Sequence, residues 1–301
     1  MSIAKYIKEI GRGKQGARSL SREQAADLFG QLLDGAVTDL EIGGFCLAMR
    51  IKGETAQEMA GFLDATDARL QHVPSADRPI VVIPSYNGAR KLPALTPLLA
   101  LLLAREGLPV LLHGVASEST RVFTSGVLEA LDIPAQASVG PAPGAAVTFV
   151  PTAVLCPGLQ RLLDVRRVVG LRNPAHSLVK IINPCAGKAL VISSYTHPEY
   201  ALSMAATFEL LHANAMLLRG TEGESVADPR RMPRMDGFLH GQRQLLEDAQ
   251  SGPLAALPDL PRETDAASTA RYIRAVLAGT YPTPAPITRQ VAHIVHMVSQ
   301  L

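Results

Sequence analysis

Tryptophan is absent from this sequence, and aromatic residues together make up 4% of its 301 positions. A surface that stacks one base after another on aromatic rings is therefore poorly supplied. Cysteines number 3, at Cys46, Cys156 and Cys185, widely spaced and without a C-x-x-C pair. That arrangement suggests neither a disulfide framework nor a zinc site, and leaves buried small apolar residues as the expected role. No window of about 18 apolar residues occurs, as a membrane span would need, and the opening MSIAKYIKEIGRGKQ lacks the apolar centre of a secretory leader. The cytoplasm is the expected location, with no membrane partner. Net charge is also small, at +2, so the chain as a whole does not announce a polyanion.

What is present is enough apolar material for a sizeable core, 47% of residues against 19% charged, in one large or two unequal domains. The charge is segregated. Up to Arg22 stand Lys5, Lys8, Arg12, Lys14, Arg18 and Arg22 against Glu9 alone, and from Cys156 to Lys188 stand Arg161, Arg166, Arg167, Arg172, Lys180 and Lys188 against Asp164 alone. An anion-binding surface would concentrate in these two segments; the alternative is a pair of solvated helix faces.

The first 70 or so residues read as helices. SREQ, TDLE and TAQE are capping boxes with Ser21, Thr38 and Thr55 as N-caps. Apolar stripes follow, Ala25, Leu28, Phe29, Leu32 and Leu33 in one and Ile42, Phe45, Cys46 and Met49 in the next, with Ile3, Ile7 and Ile10 on an opening helix. From Pro79 the pattern changes. PIVVIP, LPVLLHG, VTFVP, ALVISS and NAMLLRG read as strands, separated by longer amphipathic segments. This predicts an α/β domain with a mainly parallel sheet, helices on both faces, and ligands at the strand ends after Ile83, His113 and Leu218. A basic helical stretch between Leu159 and Pro184 interrupts the rhythm and can pack back on the N-terminal helices.

The run LDGAVTDLEIGGFCLAMRIKGETAQEMAGF resembles the helical domain of anthranilate phosphoribosyltransferase and its nucleoside-phosphorylase relatives, the TrpD-like or glycosyltransferase family 3 enzymes. LPVLLHGVASESTRVFTSGVLEALDI and VRRVVGLRNPAHSLVKIINP resemble later segments of that family in the right order. The resemblance implies a helical domain over residues 1–77, with 158–183 packing onto it, and an α/β domain over 78–157 and 184–301. It also implies a homodimer joined through the helical domain.

The family's chemical motifs are altered here. Its diphosphate loop reads Gly-Thr-Gly-Gly-Asp; the corresponding residues are Pro84, Ser85, Tyr86, Asn87 and Gly88. Pro84 has no N–H to donate, and Tyr86 carries a ring where the family has no side chain. The Asn-x-Ser-Thr run falls on Ala94, Leu95, Thr96 and Pro97, so Thr96 alone keeps a hydroxyl. His113 and Gly114 match, Val115 and Ala116 replace Asn and Arg, and the paired serines become Ser119 and Thr120. The acidic pair for a second magnesium lands on Ser225 and Val226, with Glu222 or Glu224 available if the loop shifts. Arg172 matches the substrate-contacting arginine, followed by Asn173 instead of Thr. Departure of a diphosphate needs preorganised donors and Mg²⁺, and each lost donor costs about 3–4 kcal/mol. These losses weigh against catalysis.

IPSYNGARK, LTPLLA, RGTEGE and THPEY resemble the YbiB branch of the family, nearly to the end of the chain. That resemblance implies a homodimer that binds DNA and RNA without sequence preference, with no cofactor. The implied nucleic-acid contacts are Lys5, Lys8, Arg12, Lys14, Arg18, Arg90, Lys91, Arg161, Arg166, Arg167, Arg172 and Lys180. Ser85, Tyr86, Asn87, Gly88, Thr96, His113, Gly114, Ser117, Ser119 and Arg121 form the equivalent of the diphosphate loop, with no catalytic residue and no metal assigned. Arg90 and Lys91 are expected on its ligand-facing edge, where the alternative is an ordinary strand-to-helix turn. His113 is expected to be hydrogen-bonded structure. Arg230, Arg231 and Arg234 lie in a Pro-broken loop that adds phosphate contacts or is merely solvated. The competing reading is an Mg-dependent phosphoribosyltransferase, a pentosyltransferase, with an altered substrate.

Overall fold

Ser21, Thr38 and Thr55 each accept a hydrogen bond from the backbone N–H three residues on, while Gln24, Glu41 and Glu58 reach back to the cap N–H. Each box closes two otherwise open helix donors. After α1 (Ala4–Ile10) they start α2 (Arg22–Asp34), α3 (Asp39–Lys52) and α4 (Ala56–Asp67). Strands then alternate with helices: β1 (Ile80–Ser85), α5 (Thr96–Arg105), β2 (Val110–Gly114), α6 (Thr124–Ala130) and β3 (Val147–Pro151). A helical insert follows, α7 (Thr152–Leu155), α8 (Pro157–Val169) and α9 (Ala175–Leu178). The chain finishes with β4 (Ala189–Tyr195), α10 (Pro198–Leu210), β5 (Ala215–Arg219), β6 (Met235–Leu239), β7 (Gln242–Glu247), α11 (Ala266–Leu277) and α12 (Ala285–Val298). This computed structural model describes every residue except 1, 14, 116–119, 142–143 and 255–256. Among the described residues, no helix is long and apolar enough to cross a membrane.

The chain divides into two units, Met1–Gln71 with Thr152–Pro184, and His72–Pro151 with Cys185–Leu301. The helical insert thus begins at Thr152, where the sequence reading began it at residue 158.

In the helical unit the core is built on three rings. Phe29 and Phe62 stack at 4.6 Å, and Phe45 meets both edge-on. Gly61 lets α2 and α4 close on each other, because a Cβ there would lie 2.2 Å from the Arg22 carbonyl oxygen. Gly158 does the same for α8 against the Leu33 carbonyl, at 2.3 Å. Glu58 is fully buried and accepts from Leu20 N at 2.9 Å, Thr55 N at 3.0 Å and Lys52 Nζ at 2.6 Å. One carboxylate therefore caps α4, ties the α1–α2 connection and neutralises a buried lysine.

The α/β unit carries a seven-stranded sheet in the order β3-β2-β1-β4-β5-β6-β7. The first five strands of that order pair in parallel, and β6 and β7 add an antiparallel edge. Central β1 is buried along its whole length, as a strand covered on both faces must be. Because β2 and β4 flank it on opposite sides, the strand order reverses at β1, and the loop after β1 opens at a topological switch point.

Candidate functional site

β1 ends at Ser85, and Gly88 turns the chain with φ +68°, where a side chain would meet the Phe123 ring at 3.0 Å. The turn is then pinned. Ala89 and Val122 exchange backbone hydrogen bonds at 2.8 and 2.9 Å, and the Arg121 guanidinium donates to the Gly88 carbonyl at 3.2 Å. Gly114 ends β2 so close to Ser85 that a Cβ would sit 1.8 Å from its carbonyl oxygen.

The loop's donors converge on two carboxylates. Asn87 N and Gly88 N donate to Glu224 Oε1 at 2.6 and 2.8 Å. Ser85 Oγ and Thr96 Oγ1 donate to Glu224 Oε2, and the Ser85 and Thr124 hydroxyls are hydrogen-bonded at 2.7 Å. Glu224 is 2% exposed. The neighbouring carboxylate, Glu222, accepts from Arg90 N at 2.9 Å, Lys91 N at 3.1 Å and Leu92 N at 3.2 Å. Successive backbone N–H groups turned toward one oxyanion make an anion nest.

The segment Gly220–Val226 that delivers these carboxylates after β5 is itself tightly held. The Gly223 carbonyl accepts from Asn87 Nδ2 at 2.7 Å and Ser194 Oγ at 2.8 Å, and Ser225 Oγ donates to Pro84 O at 3.0 Å. Buried Gln290 of α12 bridges Ala227 N and Ser225 O at 2.8 and 3.0 Å. Glu222 has φ +53°, in the left-handed region that costs a non-glycine residue about 1 kcal/mol. Gly223 follows at φ +90°, where a Cβ would lie 2.0 Å from Asn87 Nδ2.

The structure adjusts several sequence expectations. Tyr86 is buried at 3% exposure. Arg90 and Lys91 are exposed, but their amides belong to the Glu222 nest. His113 is fully buried on β2, and among the described residues neither ring nitrogen has a hydrogen-bond partner, unlike the hydrogen-bonded role expected of it. Burial pushes its pKa down to about 3, so the ring is neutral near neutral pH. Ser225 and Val226, the register positions for a metal-binding pair, are buried, and Ser225 serves the loop backbone. Of the Pro-broken arginines, Arg230 pairs with Asp228 at 2.8 Å and Arg234 with buried Asp236 at 2.9 Å. Lys14, Ser117 and Ser119 lie outside the described residues.

The remaining basic residues belong to the helical unit. Lys5, Lys8, Arg12 and Arg18 are exposed on and after α1; Arg161 and Arg167 are exposed on α8, and Arg166, Arg172 and Lys180 are half-buried. Four of them make surface ion pairs: Lys5 with Asp27 at 3.8 Å, Arg12 and Arg18 with Glu9 at 2.7 and 3.9 Å, and Arg167 with Asp164 at 3.4 Å. Exposed pairs of this kind are worth little. Arg161 also donates to Leu33 O at 2.6 Å. Sequence reasoning missed Arg50, whose charge joins those of Arg172 and Arg166 around His176. Burial first, and then Arg172, press the His176 pKa down to about 3.

The profile of the glycosyl transferase family, helical bundle domain, matches residues 4–69. Protein YbiB of Escherichia coli (strain K12) is 42% identical over 97% of this chain and 93% of its own length. The anthranilate phosphoribosyltransferase of Sorangium cellulosum is 30% identical over 86% of this chain and 76% of its own. This chain belongs to the anthranilate phosphoribosyltransferase-like family. The crystal structure of anthranilate phosphoribosyltransferase (TrpD) from Thermus thermophilus shares its fold, with a TM-score of 0.74 at 23% identity over 95% of this chain and 86% of that one. The Saccharomyces cerevisiae enzyme in complex with PRPP and Mg superposes with a TM-score of 0.70 at 14% identity, over 99% and 88%.

For the anthranilate phosphoribosyltransferase-like family a magnesium site must be considered. Mg²⁺ is held through carboxylate oxygens and waters in strict octahedral geometry. Here both carboxylates nearest the loop are committed to N–H and O–H donors, which suit an anion and oppose a cation. Among the described residues, no three His, Cys, Asp or Glu side chains are arranged so that they could hold a metal ion. These residues do not fit the metal.

Proposed function

We propose that this family member is a homodimeric nucleic-acid-binding protein that reads phosphates without base specificity and does not transfer a phosphoribosyl group. The observation that carries this reading is the segregation of cations in the helical unit. There Asp34, Asp64 and Glu58 neutralise Arg69, Arg22 and Lys52, while the basic segments 5–18 and 161–180 carry no acids of their own beyond Glu9 and Asp164. Lysine and arginine alone can hold a DNA or RNA backbone through counterion release.

An exposed apolar stripe supports the homodimer. Leu40, Leu47 and Ile51 recur on one face of α3 at 87%, 49% and 55% exposure. Val168 at 89% adds to the apolar surface of the same unit. Bare aliphatic side chains on one face are the form an interface between copies takes.

The competing reading, a transferase of altered substrate, is favoured by the relatives named anthranilate phosphoribosyltransferase. Two measurements on the same preparation separate them. Fluorescence anisotropy of a labelled oligonucleotide should show binding that weakens steeply with salt, and thermal unfolding should be unmoved by phosphoribosyl pyrophosphate with magnesium. A clear thermal shift together with salt-insensitive oligonucleotide binding would reverse the assignment.

A further inference from the structure

Five backbone N–H groups and two hydroxyls of the loop after β1 and the start of α5 converge on two side chains, and both are carboxylates of the chain itself. Glu224 takes Asn87 N, Gly88 N, Ser85 Oγ and Thr96 Oγ1, whereas Glu222 takes Arg90 N, Lys91 N and Leu92 N. One residue, Gly223, separates them. Its φ of +90° and the left-handed Glu222 turn both carboxylates toward the same loop. Two carboxylates brought to one loop can take the place of a small diphosphate-type oxyanion.

We infer that the strap Gly220–Val226 is an intramolecular anion, seated in the loop's cradle and shutting it to external phosphate-type oxyanions. Three features require the carboxylates themselves. The Asn87 and Gly88 amides are buried, and buried N–H groups left without an acceptor are costly, so an acceptor must meet them. The strap accepts a strained backbone to supply it. Finally, Asn87, Ser194 and Gln290 hold the strap down by its backbone carbonyls, and the strap's own Ser225 Oγ donates to Pro84 O, so the carboxylates do not arrive by chance rotamers. The inference is independent of nucleic-acid binding: the cradle lies in the α/β unit, the basic segments in the helical unit.

The test is hydrogen exchange of the full-length protein, read at the amides of residues 87–92, with inorganic diphosphate as the probe and ionic-strength-matched chloride as the control. The wild type should protect these amides and show no response to millimolar diphosphate. The double variant Glu222→Ala/Glu224→Ala should exchange at least about tenfold faster at these amides, the loss expected when one hydrogen bond to a charged acceptor disappears. Millimolar diphosphate should restore its protection. If the double variant does not fold, Glu222→Ala alone, at the half-buried end, should release Arg90, Lys91 and Leu92 while leaving Asn87 and Gly88 protected. Unchanged exchange in a folded variant would overturn the inference. So would diphosphate protecting the wild type as well as it protects the variant, or failing to protect a folded double variant.

Discussion

His113 and His176 are neutral residues held where a proton is not welcome, both pushed down to about 3 chiefly by burial. Their pKa in the unfolded chain is near 6.5. Between these values the unfolded state binds the protons and the native state does not, so stability falls as pH drops below 6.5 and the loss levels off near 3. From pH 7 to pH 5 each histidine should cost about 2 kcal/mol, at about 1.4 kcal/mol per unit of pH below 6.5. Urea unfolding of His113→Leu should show a pH dependence smaller by about that amount over the same range, and an unchanged slope would contradict the assignment. Glu58 is the opposite kind of residue, a buried charge with every oxygen engaged. Its replacement by alanine strands Lys52, whose side chain is 8% exposed, and should cost about 3–5 kcal/mol by denaturant unfolding. A loss below about 1 kcal/mol would mean Lys52 escapes to water. At this scale the sequence was readable for Ser21, Thr38 and Thr55, whose partners are local. It was unreadable for Glu222 and Glu224, because the donors they face lie some 130 residues away. The short GTEGE run after a strand was the available signal, two carboxylates on a glycine-flanked turn.

Among the elements, the five parallel strands and the helices between them were legible because buried strands read as short apolar runs bounded by turn residues. The β6–β7 edge was not. PRRMPRMDG reads as a loop, since Arg234 and Asp236 break the apolar pattern, yet Asp236 is 3% exposed and accepts from both Arg234 and Arg243. Internal neutralisation let a carboxylate take a core position. His240 and Gly241, with φ of +49° and +77°, make the two-residue turn that joins the strands, a weaker signal than Asn-Gly. The α3 stripe belongs to this scale too. Leu47→Glu and Ile51→Glu together place two charges on the proposed interface while leaving the buried face of α3 intact. Size-exclusion chromatography with light scattering should then give a monomer in place of a dimer. A wild-type monomer, or a variant that stays dimeric, would remove α3 from the interface.

For the whole molecule, the fold was legible and the family with it, because helix caps, strand rhythm and motif order all point one way. Function was less so: the loop that keeps the family's place has changed its occupant, and the cations are distributed over two segments distant in sequence. In the structure both segments fall in the helical unit, which makes the phosphate track proposed for them physically economical. The central claim is tested most directly by fluorescence anisotropy of a fluorescein-labelled mixed-sequence oligonucleotide across a salt series, comparing the wild type with Arg161→Ala/Arg167→Ala/Arg172→Ala. Each phosphate contact contributes about 0.7 to 0.9 to the slope of log affinity against log salt. The wild type should bind with a steep slope that hardly depends on oligonucleotide sequence, and the triple variant should lose about 2 to 3 from it. Weak, salt-insensitive binding by the wild type, or a slope unchanged in the variant, would contradict the account.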